Sequence, residues 1–489
     1  MSKKTSVIRK ITQWKIILGI QIISSLILIA LIFKLGALPM KYAIVVIALV
    51  ALLGIGMFFL MKPSHEKGKG KVRTVIGKVI SILLSILLLI GSLYIAKGDS
   101  TISAITGANE QSTRFSVIVL KDSKYETLSD LKNESIQVNN SVTEEKEIQN
   151  EAIEAVQKEN SSIKIKEVSD FNALSNNLYN KKVNAILVNE ANYAMLEANH
   201  GDFQEKTKVI WSKDFVEKVE DFSKNVDVTK KPFVVYISGI DTFGPVSTKS
   251  RSDVNMIVTV NPKTKQILMT SIPRDYYVTL ANKGKKDKLT HSGLAGVQNT
   301  VKTMENFMGI DINYYARVNF TSLIKMVDAL GGVTVDIPKD FRANADGSYF
   351  KKGRQVINGK QALAFSRERY AFGDGDNARV HNQQIVLTAM INKMMSPAII
   401  TNYSSILSSI DGSFETNMAA GDITGLLQMQ INDMASWKII QKQMGGTGTM
   451  MTGGAYMPNN KLYYMIPNES SVAENKKAIQ QVLAGNPVD

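Results

Sequence analysis

Phe233-Val-Val-Tyr-Ile-Ser-Gly-Ile-Asp-Thr242 is the stretch that decides how this 489-residue chain is read. Phe233–Ile237 is a short, continuous apolar run after Pro232, which predicts a buried strand. Ser238-Gly-Ile then carries the chain off that strand and delivers Asp241 at its carboxyl end, where open α/β sheets place ligands. The same punctuation recurs downstream. Arg251-Ser-Asp-Val-Asn255 leads into the apolar run 254–260, and Ser271-Ile-Pro-Arg-Asp275 closes the run 266–271. Asn261-Pro-Lys-Thr-Lys265 between those runs reads as a hairpin turn. Helical spacing follows at 301–308 and 320–330, Gly331-Gly332 stops the second helix, and 333–337 returns as a strand. A short helix over 358–364 is expected, capped by Asn358. Strands alternating with helices predict an α/β layered domain.

Charged residues sit at the edges of these runs. Asp241 and Asp253 are two carboxylates that a loop can bring together. A pair of carboxylates leaves positions for water and phosphate oxygens, the arrangement Mg²⁺ or Mn²⁺ favours. Arg274 follows the third run, and Arg251 stands two residues before Asp253. Arg367 and Arg369 flank Glu368, and on an extended segment they would point to one face. Arg379 and Gln383 are four apart and share a face on a helix, which Asp374, Asp376 and Asn377 are placed to cap. Guanidiniums grip phosphate oxygens in a fork, so the set predicts a site for a phosphorylated substrate. Surface ion pairs with Glu368 and Asp275 are the plainer reading of any single arginine. His291 and His381 are candidates for proton transfer, although a structural role is the stronger reading of each. No Ser-His-Asp nucleophile, phosphate loop or HExxH motif is present, and the Gly-rich 445–454 stretch reads as a flexible loop.

The formal net charge of +14 is unevenly placed. Residues 1–97 carry 14 Lys/Arg and one acid, Glu66, leaving 44 basic and 43 acidic residues in 98–489. The basic excess thus belongs to a segment with three uncharged apolar runs, 16–33, 42–61 and 79–96, each about long enough to cross a ~30 Å hydrocarbon core. Lysines and arginines before the first run and between the second and third predict that those segments face the cytoplasm. The chain is then a multi-pass protein of the cell membrane, with residues 98–489 extracellular. The same distribution argues against nucleic acid as a partner. The chain has no cysteine, which fits exposure outside a cell that does not rely on disulfides and equally fits many cytosolic proteins.

The expected layout is a three-helix anchor over 1–97, a linker over 98–112, a small α/β accessory domain over 113–225 and a catalytic domain over 226–489, largely helical through 385–440. In the accessory domain 115–120 and 183–188 read as strands and 144–159 as a helix, with no catalytic constellation.

Gly239-Ile-Asp-Thr, Arg251-Ser-Asp-Val, Ser271-Ile-Pro-Arg-Asp, Leu330-Gly-Gly-Val, Asn358-Gly-Lys-Gln-Ala-Leu-Ala-Phe, Arg367-Glu-Arg and Asp376-Asn-Ala-Arg-Val-His-Asn-Gln-Gln, in this order, resemble the LytR-CpsA-Psr (LCP) family. The three-span anchor with an added domain resembles its capsule-associated streptococcal members. The resemblance implies a Gram-positive phosphotransferase that moves a glycopolymer, capsular or exopolysaccharide, from an undecaprenyl diphosphate carrier to peptidoglycan. Partners would be that lipid-linked donor, the peptidoglycan acceptor, membrane lipid and capsule-assembly proteins. Carried over by motif, Asp241 and Asp253 would hold the metal. Arg274, Arg367, Arg369, Arg379 and Gln383 would contact the diphosphate, with Arg251 added, and Asp241, Asp253, Arg274 and Arg367 would form the catalytic set. Two other readings stay open: a regulator of capsule expression acting through its cytoplasmic segments, and a polyprenyl diphosphate hydrolase.

Overall fold

The computed structural model describes residues 12–63, 70–106, 110–240, 245–373, 375–396 and 414–488. It divides into two compact units: residues 1–104, 395–411 and 419–436 form one, and 105–394, 412–418 and 437–489 form the other.

The first unit holds three helices long and apolar enough to cross a membrane: α1 (Trp14–Leu35), α2 (Met40–Met61) and α3 (Lys71–Ile105). Their side chains are mostly exposed and apolar, as a lipid-facing surface requires. The few polar groups pair within the bundle, and the Ser81 hydroxyl donates to Gln21 Oε1 at 2.5 Å. Gly36 ends α1 in the left-handed region at φ 64°, where its N–H reaches the Ile32 carbonyl. One prediction is corrected here. Residues 98–105, read as linker, are the last turns of α3, which runs on through Gly98 to Ile105 with no proline to stop it.

The second unit contains two sheets. The accessory sheet is ordered β3-β2-β4-β1-β5, from β1 (Glu110–Leu120), β2 (Ser135–Asn139), β3 (Lys164–Val168), β4 (Ala185–Asn189) and β5 (Thr207–Lys218). Helices α4 (Lys146–Glu159) and α5 (Phe171–Tyr179) cover opposite faces: Ile148, Ala152 and Val156 of α4 pack on Val117 and Val138, whereas Leu174 and Leu178 of α5 pack with Ile118 and Ile186.

The larger sheet uses β6 (Phe233–Gly239), β7 (Val254–Asn261), β8 (Gln266–Ile272), β11 (Tyr314–Val318), β16 (Phe414–Thr416) and β17 (Lys438–Gln443), in the order β16-β11-β6-β7-β8-β17. Small two-stranded pairs flank it: β9 (Tyr277–Thr279) with β10 (Lys286–Lys288), β12 (Val333–Ile337) with β15 (Gly353–Ile357), and β13 (Phe341–Arg342) with β14 (Tyr349–Phe350). Strand alternation gives the sheet two different faces. Val234, Tyr236 and Ile257 point into a packed core with α6 (Val297–Met308). Ile237, Met256, Val258, Ala316 and Val318 point the other way, toward α7 (Phe320–Ala329), α8 (Gly359–Arg367) and α9 (Asp376–Met394), and floor a cavity. Helices α7 and α8 pack so closely that a Cβ on Gly359 would stand 2.2 Å from the Ile324 carbonyl oxygen.

Later in the chain come α10 (Ala420–Asp433), β18 (Gly446–Met451), β19 (Leu462–Pro467) and α11 (Glu469–Ala484). Residues 445–454, predicted as a flexible loop, instead contain strand β18. It pairs with β19, and the Tyr463 ring packs across Gly448, where any side chain would collide with it. The span 385–440 likewise includes β16 and the start of β17, although 397–413 lie outside the described residues. Helix α10 belongs to the first unit: Gln428 donates to the Gly36 carbonyl and Lys41 Nζ to the Asn432 carbonyl at 2.7 Å, so it meets the α1–α2 connector.

The accessory sheet buries one carboxyl with no cation bonded to it. Glu145 is 6% exposed and accepts from Asn192 Nδ2 at 3.1 and 3.3 Å. Burial outweighs the Asn189 and Asn192 contacts and pushes it up to about 7. A raised carboxyl favours the protonated folded state, so stability is fully present below pH ~4.5 and is lost as pH rises through 7. Glu145→Gln is expected to stabilise the chain at pH 8 by as much as about 3 kcal/mol and to flatten its stability–pH profile between 5 and 8. Thermal unfolding of both proteins across that range checks this, and parallel profiles would refute it.

Candidate functional site

The cavity between the larger sheet and α7–α9 has a volume of about 690 Å³. Its composition changes along its length. On α9, Arg379 and Gln383 line the amino-terminal half, whereas Leu387, Met390, Ile391 and Met394 line the rest. Arg379 to Met394 spans ~22 Å along the axis. The sheet shows the same gradient, with Asp253 and Gly239 at the strand ends beside Arg379 and Met256 and Val258 farther in. Arg251, Asp253, Arg274, Arg367, Arg369, Arg379 and Gln383, all predicted from the sequence, line this one cavity. Asp241 and Asp374 lie outside the described residues, although Ile240, next to Asp241, lines the wall.

Asp253 is held with care. It is 3% exposed, and its backbone N–H donates to the Gly239 carbonyl at 2.8 Å, fixing it at the edge of β6. A buried polar cluster locks its loop: Asn255 Nδ2 donates to the Ser252 carbonyl at 2.9 Å, Ser252 Oγ meets Ser238 Oγ at 2.8 Å, and the Tyr236 hydroxyl donates to Asn255 Oδ1. Asp253 Oδ1 accepts from Arg274 Nη1 and from the Thr290 hydroxyl, each at 2.9 Å. Oδ2 has no hydrogen-bond partner among the described residues, and Arg251 Nη2 approaches it only to 3.9 Å. Burial raises this carboxyl, but Arg251, Arg274, the Thr290 hydroxyl and Arg379 together hold it below the usual carboxylate range.

The other arginines are anchored in ways the sequence did not suggest. Arg367 is the last residue of α8, not part of a strand, and its guanidinium stacks on the Phe320 ring at 4.4 Å. Glu368, expected to pair with an arginine, is 1% exposed and accepts four backbone N–H groups instead: Asn344 at 2.8, Arg369 at 3.0, Tyr370 at 2.7 and Ala371 at 2.9 Å. Burial opposes ionisation here too, and these four donors outweigh it, lowering the carboxyl. One buried carboxylate therefore folds the turn so that Arg367 and Arg369 both line the cavity. It also fixes Asn344 and the 76%-exposed Tyr370 at the rim. Asp275 does meet Arg274, with Nε at 3.6 Å, while Lys288 Nζ holds the same carboxylate at 3.1 Å. His291 bonds Asp287 and does not line the cavity, nor does His381. Helices α7 and α9 line the apolar part of the cavity, whereas α6 packs on the opposite face of the sheet.

Among the described residues the lining includes five arginines and one carboxylate. Such a set, next to an apolar trough, suits an anionic head on a hydrocarbon tail. A divalent ion also fits. Asp253 Oδ2 is a buried carboxylate oxygen with no hydrogen-bond partner among the described residues, and Mg²⁺ takes few protein ligands when phosphate supplies the rest.

Residues 193–481 match the model of the LytR_cpsA_psr family. The chain is 36% identical over 267 residues to the polyisoprenyl-teichoic acid–peptidoglycan teichoic acid transferase TagU of Bacillus licheniformis, covering 54% of this chain and 82% of that protein. It is 34% identical over 271 residues to TagV of Bacillus subtilis, covering 54% and 67%. Among solved structures it is similar to B. subtilis TagV (33% identity, TM-score 0.45, 53% of this chain and 99% of that one) and to TagT bound to LIIa-WTA (31%, 0.45, 53% and 94%). The family match covers more than half of the chain and takes in every residue that lines the cavity. The chain belongs to the LytR_cpsA_psr family.

Proposed function

We propose that this protein is a membrane-anchored phosphotransferase that moves a glycopolymer from an undecaprenyl diphosphate carrier to peptidoglycan on the outer face of the membrane. The observation that carries this is the gradient along one cavity, from an apolar trough through a collar of arginines to an open rim. A polyprenyl diphosphate glycan has the same three parts in the same order.

Arg251, Arg274, Arg367, Arg369, Arg379 and Gln383 bind the diphosphate oxygens and offset charge on the phosphate left with the lipid. Asp253, with Asp241 beside it in sequence reach, would hold Mg²⁺ or Mn²⁺, which supplies further charge neutralisation to the diphosphate when bound. A sugar hydroxyl of peptidoglycan attacks the glycan-bearing phosphorus. The phosphoanhydride bond breaks, polyprenyl phosphate leaves, and a phosphodiester remains. Such transfer depends on positioning and charge more than on covalent help from the protein. The outward orientation draws support from the lysine and arginine distribution and from α10, which meets the short α1–α2 connector and so lies on its side of the membrane. We assign the polymer to the capsular or exopolysaccharide class on the layout of three spans plus an accessory domain.

The full chain in detergent with a polyprenyl diphosphate-linked oligosaccharide, Mg²⁺ and peptidoglycan fragments is expected to form a glycan–acceptor phosphodiester. Lipid phosphate release with no acceptor product would overturn the transferase reading in favour of hydrolysis. At the rim, the exposed ring of Tyr370 is placed to stack on the first sugar beyond the diphosphate. Tyr370→Ala is expected to raise the KM for the glycan-bearing donor about tenfold and leave the affinity for bare polyprenyl diphosphate unchanged. Equal losses for both ligands would count against a sugar contact.

A further inference from the structure

One side of the site reaches the accessory domain through an unbroken series of contacts. Thr290, whose hydroxyl donates to Asp253 Oδ1, lies in the tight 289–295 turn. Its backbone is tied on both sides of the site, N–H to the Arg274 carbonyl at 2.9 Å and carbonyl to the Ser252 N–H at 3.1 Å. Gly293 lets this turn press against the loop that carries Asp253, since a Cβ there would stand 2.4 Å from the Ser250 carbonyl oxygen.

The turn is held from behind by a buried pair. His291, next to Thr290, meets Asp287 Oδ1 through Nδ1 at 2.9 Å. Asp287 Oδ2 accepts the Tyr456 N–H at 2.8 Å, and the Tyr456 ring packs edge-on to His291 with centroids 5.9 Å apart. The far end of Tyr456 belongs to the accessory domain: its hydroxyl donates to Glu144 Oε1 at 2.9 Å. Glu144 takes two more donors from the catalytic domain, Asn282 Nδ2 at 3.0 Å and Lys283 Nζ at 2.6 Å. A carboxylate that gathers three donors from one neighbouring domain is a clasp. Here its central strand ends two short contacts from Asp253.

We propose that Glu144 is a positioning residue: through Tyr456 and the Asp287–His291 pair, the accessory domain holds the Thr290 turn, and with it Asp253, in register for transfer. This rests on the reading of Asp253 as part of the transferase site. It gives residues 110–218 a role in the reaction without contact to the substrate.

The test uses the full chain in detergent, with turnover measured on the lipid-linked donor and Mn²⁺ binding measured directly by paramagnetic resonance. Tyr456→Phe removes the hydroxyl and keeps the ring, so it breaks one bond of the clasp where Glu144→Ala breaks all three. Both variants are expected to lower kcat five- to twentyfold, to weaken Mn²⁺ binding severalfold and to leave the donor KM within twofold. Thr290→Val should do the same and Thr290→Ser should restore function. Glu144→Ala combined with Thr290→Val should be no worse than Thr290→Val alone, since residues on one route are not additive. Multiplying effects, or a lowered unfolding temperature with unchanged kcat and Mn²⁺ affinity, would overturn the proposal. If wild type yields no transfer product, the transferase reading fails separately, and the Mn²⁺ measurements still decide whether Glu144 acts on Asp253.

Discussion

Asp253→Asn is expected to lower kcat at least about a thousandfold, a loss of ~4 kcal/mol of transition-state stabilisation, while the chain stays folded. The asparagine keeps the shape and can still accept from Thr290. It removes the negative charge that Arg251, Arg274 and Arg379 surround, and with it the carboxylate oxygen that would hold the proposed metal. Arg274 then loses the charge of one carboxylate partner, the one bonded at 2.9 Å, and keeps Asp275. The wild type carries a further signature. Because the carboxyl is held below the usual range, its contribution is present above pH ~4 and disappears only as pH falls through that lowered value. Any acid limb above pH 5 must come from another group. Product formation by the two proteins, with thermal unfolding as a control, decides the matter. Activity of the variant within tenfold of wild type would remove Asp253 from the catalytic set.

The second large effect concerns the trough. Leu387→Trp places a bulky ring in the apolar half of the cavity, on the same face of α9 as Met390 and Met394. Displacing two or three methylenes of a bound chain costs about 2 kcal/mol at ~0.8 kcal/mol each, which is about thirtyfold in affinity. The KM for a long-chain donor is therefore expected to rise by about that factor. A donor with a single isoprene unit should be handled as before, because its tail would not reach the ring. Competition assays with lipids of graded length check this, and equal losses at every length would mean that the tail lies elsewhere.

Much of this site could be read from residue order alone. Asp253, Arg274 and Arg379 each stand where an apolar run begins or ends, and strand ends converge when a sheet forms. The two faces of β6 were not legible, because Val234, Val235, Tyr236 and Ile237 are all apolar. What escaped was fixed by partners distant in sequence. Glu368 looks like a salt-bridge residue until the Asn344 loop, 24 positions away, folds onto it. Strand β18 looks like a loop because its glycines carry no strand preference of their own, and only pairing with β19 orders them. Thr290 gave no signal, since one hydroxyl in an uncharged turn resembles any other. The end of α3 was misjudged because Ser and Thr tolerate both helix and linker, and helix continuation decided the outcome.

The gradient along the cavity also bears on how choosy such an enzyme can be. On the proposed transfer, trough and collar would address a hydrocarbon and a diphosphate, the portions that every polymer built on such a carrier has in common. Among the described residues Asn344, Ala345 and Tyr370 line this end, where the proposed transfer would place the portion that differs. Discrimination between polymers thus falls to a few exposed groups on loops, where substitution leaves the chemistry intact. On that reading, a lineage could redirect the protein to a new cargo by altering a few side chains at the rim.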